Sequence, residues 1–86
     1  MTLEQLRQHI DRLDAQVLRL LNRRAAVGRQ VGRLKKRNGL RLFDATREQA
    51  ILRRLAALNG GPLPAAAIRA IYREILRQVR NLERSA

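Results

Sequence analysis

Arg24 stands where an apolar side chain is due. Leu3, Leu6, Ile10, Leu13, Val17, Leu20, Val27, Val31 and Leu34 recur at spacings of three and four, and Arg24 fills the beat between Leu20 and Val27. A guanidinium on an apolar seam is costly to bury unpaired, so it calls for an anion. That anion is either a carboxylate of a partner helix, with the arginine fixing the register, or a ligand. Lys35 lies eleven residues further on. At about 100° per residue it returns to nearly the same face, about 16 Å along the helix. Two cations on one stripe could bracket a small dianion. Taken singly, Lys35 also reads as a solvated cation complementing the helix C-terminus.

Gly28 and Gly32 lie between these cations, four residues apart. Each costs a helix about 1 kcal/mol relative to alanine, so something there needs room. Either a second helix packs close, or a ligand sits against the backbone. Glu83 continues an apolar stripe one turn beyond Val79; it is either a functional acid or an exposed helix end. Arg7 is about 25 Å from Arg24 along one helix. Within one chain the two cannot share a small-molecule site, whereas across an antiparallel pair they can. Alone, Arg7 is a surface arginine, and His9 lies off the seam in solvent.

Other chemistries lack carriers. The sequence has no cysteine, which removes disulfides, thiolate metal sites and cysteine nucleophiles. A single histidine is too few for a histidine-based metal site. No nucleophile–base pair, P-loop or dinucleotide fingerprint is visible.

The elements that must position these residues follow from periodicity. The 86 residues fall into three segments, roughly 3–37, 44–58 and 64–84, separated at Asn38-Gly39 and at Asn59-Gly60-Gly61-Pro62-Leu63-Pro64. The first is a heptad seam about 50 Å long. A domain of this size cannot bury such a rod within itself, and a second copy of the chain is the simplest cover. The second segment opens on Asp44, a favourable N-cap, and turns Ile51, Leu52, Leu55 and Leu58 to one face. Asn59-Gly60 reads as its C-terminal stop. Pro64 suits the first turn of the third segment, whose stripe is Ile68, Ile71, Tyr72, Ile75, Val79 and Leu82. No segment alternates with period two, so the expectation is an all-α domain over 1–86 with one long helix and two shorter ones.

Nineteen Lys and Arg against seven Asp and Glu give a net charge of +12. Such an excess points to an anionic partner: nucleic acid, an acidic membrane face or a small polyanion. Only Phe43 and Tyr72 are aromatic, which is poor provision for stacking on bases. No apolar run approaches the roughly 20 residues that span a bilayer, and the start lacks the basic and apolar regions of a signal peptide. The expected compartment is cytoplasmic.

The sequence resembles the all-helical (type II) chorismate mutases over about residues 3–84. The residues that carry the likeness are Leu6-Arg7 with Asp11 and Asp14, Leu20-Leu21-Asn22-Arg23-Arg24, Val31-Gly32-Arg33-Leu34-Lys35, Phe43-Asp44 with Arg47-Glu48, and Ile71-Tyr72-Arg73-Glu74-Ile75. The stretch from Asn59 through Ile75 looks most like the mutase domain fused ahead of DAHP synthase in some bacteria. The resemblance implies an intertwined, all-helical homodimer. It implies conversion of chorismate to prephenate, a Claisen rearrangement in phenylalanine and tyrosine biosynthesis, with no cofactor or metal. It assigns Arg24 to a substrate carboxylate and Arg7 of the other subunit to a carboxylate. Lys35 would contact the ether oxygen and a carboxylate. Asp44, mainly through its backbone, and Glu48 would hold the ring hydroxyl, with Arg47 supporting carboxylate binding. Val79 and Glu83 match the last two site positions. Valine departs from the small or hydroxyl residue usual there and can donate no hydrogen bond. Beside a pure coiled-coil scaffold, against which Arg24 and the glycine pair speak, two rival readings stand next to it. One is a mutase-like regulatory module that binds chorismate or prephenate and controls a DAHP synthase. The other is a basic nucleic-acid-binding dimer, disfavoured because the arginines are spread over every segment.

Overall fold

The computed structural model describes residues 1–85 and contains three helices: α1 over Leu3–Arg37, α2 over Ala45–Leu58 and α3 over Ala65–Ser85. The sequence segments coincide with these bounds to within one residue, and no strand occurs among the described residues.

α1 starts at a reciprocal cap. The Thr2 hydroxyl accepts from the Gln5 N–H at 3.1 Å, and the Gln5 side chain accepts from the Thr2 N–H at 2.9 Å, satisfying two of the donors that a helix start leaves open. The helix ends at Asn38. Gly39 N–H bonds the Lys36 carbonyl at 3.2 Å and Leu40 N–H bonds the Lys35 carbonyl at 2.8 Å. Gly39 has φ +67°, the left-handed conformation that this pairing requires. α2 starts on Asp44, whose carboxylate accepts from the Arg47 N–H at 2.9 Å.

The second junction differs from its sequence reading. Asn59 leaves α2 in extended conformation, φ −70° and ψ 118°, and the positive φ falls at Gly61 instead. The Asn59 side chain accepts from the Gly61 N–H at 3.1 Å and donates to the Leu63 carbonyl at 2.8 Å, folding the linker around itself. Pro64 stands just before α3, its carbonyl receiving the Ala67 and Ile68 amides at 3.0 and 3.1 Å.

α3 packs against both α1 and α2. Its approach to α1 explains the glycine pair. A Cβ on Gly28 would lie 2.5 Å from Cγ1 of Val79, and one on Gly32 would collide with Glu83. Close helix packing accounts for both glycines, and Gly28 also lines the cavity between α1 and α3. Lys36 Nζ also reaches across, donating to the Arg84 carbonyl at 3.0 Å near the end of α3.

Ile51 and Leu76 are the buried apolar side chains, each 6% exposed. The stripe read from the sequence omitted Leu76 and included Ile71, which is exposed. Contact with two helices, rather than one, centres the covered face of α3 on Leu76, Val79, Arg80 and Glu83. Leu58, placed inward from the sequence, is the last residue of α2 and is also exposed.

α1 sets the long dimension of a molecule measuring 55 × 24 × 15 Å. Residues 1–23 are all exposed. Leu3, Leu6, Ile10, Leu13, Val17 and Leu20 along the seam are 47 to 63% exposed. No helix among the described residues is long and apolar enough to cross a membrane.

Candidate active site

A cavity of about 300 Å³ opens where the C-terminal half of α1, the loop before α2, α2 and the end of α3 meet. Its volume is at the lower end for small-molecule sites. Seven of the eight site residues expected from the sequence line it: Arg24, Lys35, Asp44, Arg47, Glu48, Val79 and Glu83. Arg7 is the exception. It sits in the exposed N-terminal part of α1 and does not line this cavity.

Each position follows from a local feature. Arg24 is half-buried on the seam and makes no ion pair among the described residues. The register-fixing carboxylate that the sequence left open is therefore not supplied from within the chain. Lys35 is half-buried, and its Nζ donates to the Leu42 carbonyl at 3.0 Å. The Gly39 stop turns the chain back to make that contact, so Lys35 is anchored in place of the solvated cation that its position near a helix end suggested. The Asp44 cap puts Arg47 and Glu48 in the first turn of α2, beside the cavity mouth.

Glu83 is 8% exposed, which rules out the frayed helix end. Burial pushes its carboxyl above the ordinary glutamate range, and the nearby Glu48 charge pushes the same way. The cations Lys35, Arg24 and Arg80 pull in the opposite direction, and burial prevails. A carboxyl so placed becomes a hydrogen-bond donor when it holds its proton.

Two cations at the cavity were not singled out from the sequence: Arg54 and Arg80. Arg54 follows Arg47 by seven residues and Ile51 by three, so the face that carries those two also carries Arg54. Arg80 falls between Leu76 and Glu83 at spacings of four and three, and a stripe drawn through Leu76 would have found it. Its Nη1 pairs with both carboxylate oxygens of Glu48, the contact to Oε2 being 2.5 Å. Its guanidinium carbon stands 5.0 Å from the centre of the Phe43 ring, within cation–π range.

Five cationic side chains at the cavity thus face three carboxyls, with Val27, Val31, Leu42, Ile51, Leu76 and Val79 as apolar walls. The arrangement suits a small anion with an apolar body. It contains no activated nucleophile. What it can do is hold, orient and electrostatically bias a molecule that reacts within itself.

The family model described as chorismate mutase type II matches residues 6–84. The bifunctional chorismate mutase/prephenate dehydratase of Aquifex aeolicus is 38% identical over 86 residues, covering 95% of this chain and 24% of that protein. The chain spans less than a quarter of the length of the first curated relatives it matches. Their second activity is a prephenate dehydratase, where the sequence likeness had pointed to fusion with a DAHP synthase. Among solved structures, a chorismate mutase from Thermus thermophilus superposes with a TM-score of 0.93 at 37% identity, covering 94% of this chain and 92% of that one. A Helicobacter pylori chorismate mutase in complex with prephenate gives 0.89 at 28% identity, covering 96% and 90%.

Proposed function

This chain belongs to the type II chorismate mutase family, and from that premise we propose that it converts chorismate to prephenate. The observation that carries the reading is the convergence of Arg24, Lys35, Arg47, Glu48 and Glu83 on one cavity without a nucleophile. The rearrangement is unimolecular and calls for no cofactor. One C–O bond breaks while one C–C bond forms.

The site is completed by a second copy. In the proposed homodimer the exposed seam of α1 is covered by its counterpart, and Arg7 of that copy reaches a substrate carboxylate. Arg24 binds a carboxylate from within the chain, and Arg47 supports carboxylate binding. Asp44, through its backbone, and Glu48 hold the ring hydroxyl. Val79 contributes an apolar wall. Ion pairs to two carboxylates hold chorismate in its compact diaxial form, with the reacting carbons close.

The rate gain comes from charge. As the C–O bond breaks, negative charge grows on the ether oxygen. Lys35, already anchored by the Leu42 carbonyl, presents its cation there. Protonated Glu83 adds a hydrogen bond. Both interactions strengthen toward the transition state, which is the condition for raising kcat.

The test follows the loss of chorismate absorbance with the purified chain, beside Arg24→Ala. Rapid loss that falls by about two to three orders of magnitude in the variant supports the reading. A folded, helical chain that leaves chorismate unchanged overturns it. Binding of prephenate without turnover, together with an effect on a DAHP synthase, would replace it with the regulatory reading.

A further inference from the structure

We infer that Arg80 is a positioning residue of this cavity: seated on the Phe43 ring, it holds the Glu48 carboxylate at the cavity wall and offsets its charge. The inference rests on the mutase reading and deepens it.

The geometry ties three parts of the chain together. Phe43 belongs to the loop before α2, Glu48 to the first turn of α2, and Arg80 to the second half of α3. The Arg80 and Glu48 side chains are only 25% and 21% exposed, so their ion pair is far less open to water than the surface pair of Glu74 and Arg77, at 55% and 54%. Both Glu48 oxygens bond one nitrogen of Arg80, Nη1. A carboxylate held this way keeps one orientation, while each oxygen retains lone-pair capacity for a further donor. The exposed Phe43 ring beneath the guanidinium narrows the freedom that a long side chain would otherwise have. Glu48 thus stands ready as an acceptor before any ligand arrives, which lowers the cost of ordering it on binding.

The second consequence is electrostatic. Glu83 is faced by Arg24 and Lys35 from α1, by Glu48 from α2 and by Arg80 from its own helix. The Glu48 charge raises the Glu83 titration and Arg80 lowers it. Removing Arg80 takes away one of three lowering charges and leaves the Glu48 charge without its ion-pair partner, while Lys35 and Arg24 remain. The Glu83 titration then moves to higher pH.

Arg80→Leu and Arg80→Lys, each alone and with Glu48→Gln, test the role in the full chain. With chorismate, Arg80→Leu is expected to raise KM by about tenfold and to change kcat by less than about threefold, because a hydroxyl contact is made in both ground and transition states. In the Glu48→Gln background the same substitution should add less than about threefold, since its effect runs through Glu48. Arg80→Lys keeps a cation but loses the ring-stacked guanidinium. It should show much of the KM defect and a smaller titration shift. The Glu83 titration is read on ligand-free protein from its carboxyl 13C resonance, and should move upward in Arg80→Leu. Equal losses in both backgrounds, or an unmoved Glu83 titration, would overturn the inference. If the wild-type chain fails to turn over chorismate, the mutase reading falls, and the ligand-free titration still decides the role of Arg80.

Discussion

Glu83 is fitted against Gly32: a Cβ on that glycine would lie 2.9 Å from the Glu83 Cβ, 3.0 Å from its Cγ and 3.2 Å from its Cα. The acid at the cavity is therefore set by how closely α3 can approach α1.

Gly32→Ala should displace Glu83. The added methyl meets backbone as well as side chain, so rotamer changes cannot relieve it. Overpacking of this kind costs about 1–3 kcal/mol, against roughly 1 kcal/mol gained in helix propensity. The expected outcome is a lower melting temperature with a larger proportional loss of kcat/KM. Gly28→Ala puts its Cβ 2.5 Å from Cγ1 of Val79, a β-branched side chain with one preferred helical rotamer, so its melting temperature should fall too. That Cβ stands 3.7 Å from Glu83, and the proportional loss of kcat/KM should be smaller. Thermal melts and chorismate kinetics on both variants check the order.

Activity should fall as pH rises through the Glu83 titration, because the carboxyl donates only while protonated. The stability sign is the same. Burial raises the folded-state pKa above its unfolded value. The stability contributed by protonated Glu83 is therefore full below the unfolded pKa and is lost as pH rises through the raised one. Glu83→Gln should flatten the pH–rate profile and, at neutral pH, melt at a higher temperature than the parent. A profile with the same falling limb in Glu83→Gln would remove this residue from the proton bookkeeping.

Arg7→Ala and Arg24→Ala should each be nearly inactive and should rescue one another on mixing. In a hybrid dimer, the Arg7→Ala chain keeps its own Arg24 and borrows Arg7 from the other copy, so one of its two sites is intact. Random exchange gives hybrids in about half of the dimers, and thus about a quarter of full activity. Mixing that restores nothing would confine the site to a single chain.

Asp44→Ala should cost about 0.5–2 kcal/mol of stability through the lost cap on the Arg47 amide. If Asp44 serves the ring hydroxyl mainly through its backbone, KM should rise only modestly. A urea titration and a KM measurement on the same preparation separate the two effects.

The sequence shows some of this site openly and hides the rest, for physical reasons. Arg24 is visible because a charge interrupting a heptad seam has contrast. Gly28 and Gly32 are visible because glycine inside a helix is a cost that packing must explain. Arg54 and Arg80 have no such contrast in a chain with nineteen Lys and Arg. Leu76 escaped because one face was read for α3, whereas the helix is covered on two sides. Helix bounds were legible because Gly39, Asp44 and the 59–64 linker end or start helices by local chemistry, whereas the Thr2 cap on α1 went unread. Even there, Asn59 acts through its side chain and leaves the positive φ to Gly61. In the proposed pair, the place of Arg7 depends on a second molecule, which no pattern within one chain can supply.

The bare seam over the first 23 residues also has a consequence for handling the protein. An apolar stripe this long is poorly suited to a lone chain in water. In the proposed pair its cover comes from another molecule, so folding obeys mass action. Each tenfold dilution then takes about 1.4 kcal/mol from the folded pair. An assay at nanomolar enzyme works about 4 kcal/mol closer to unfolding than a melt at micromolar concentration. Specific activity should therefore be read over a range of protein concentrations, since its value at high dilution reports assembly as well as chemistry.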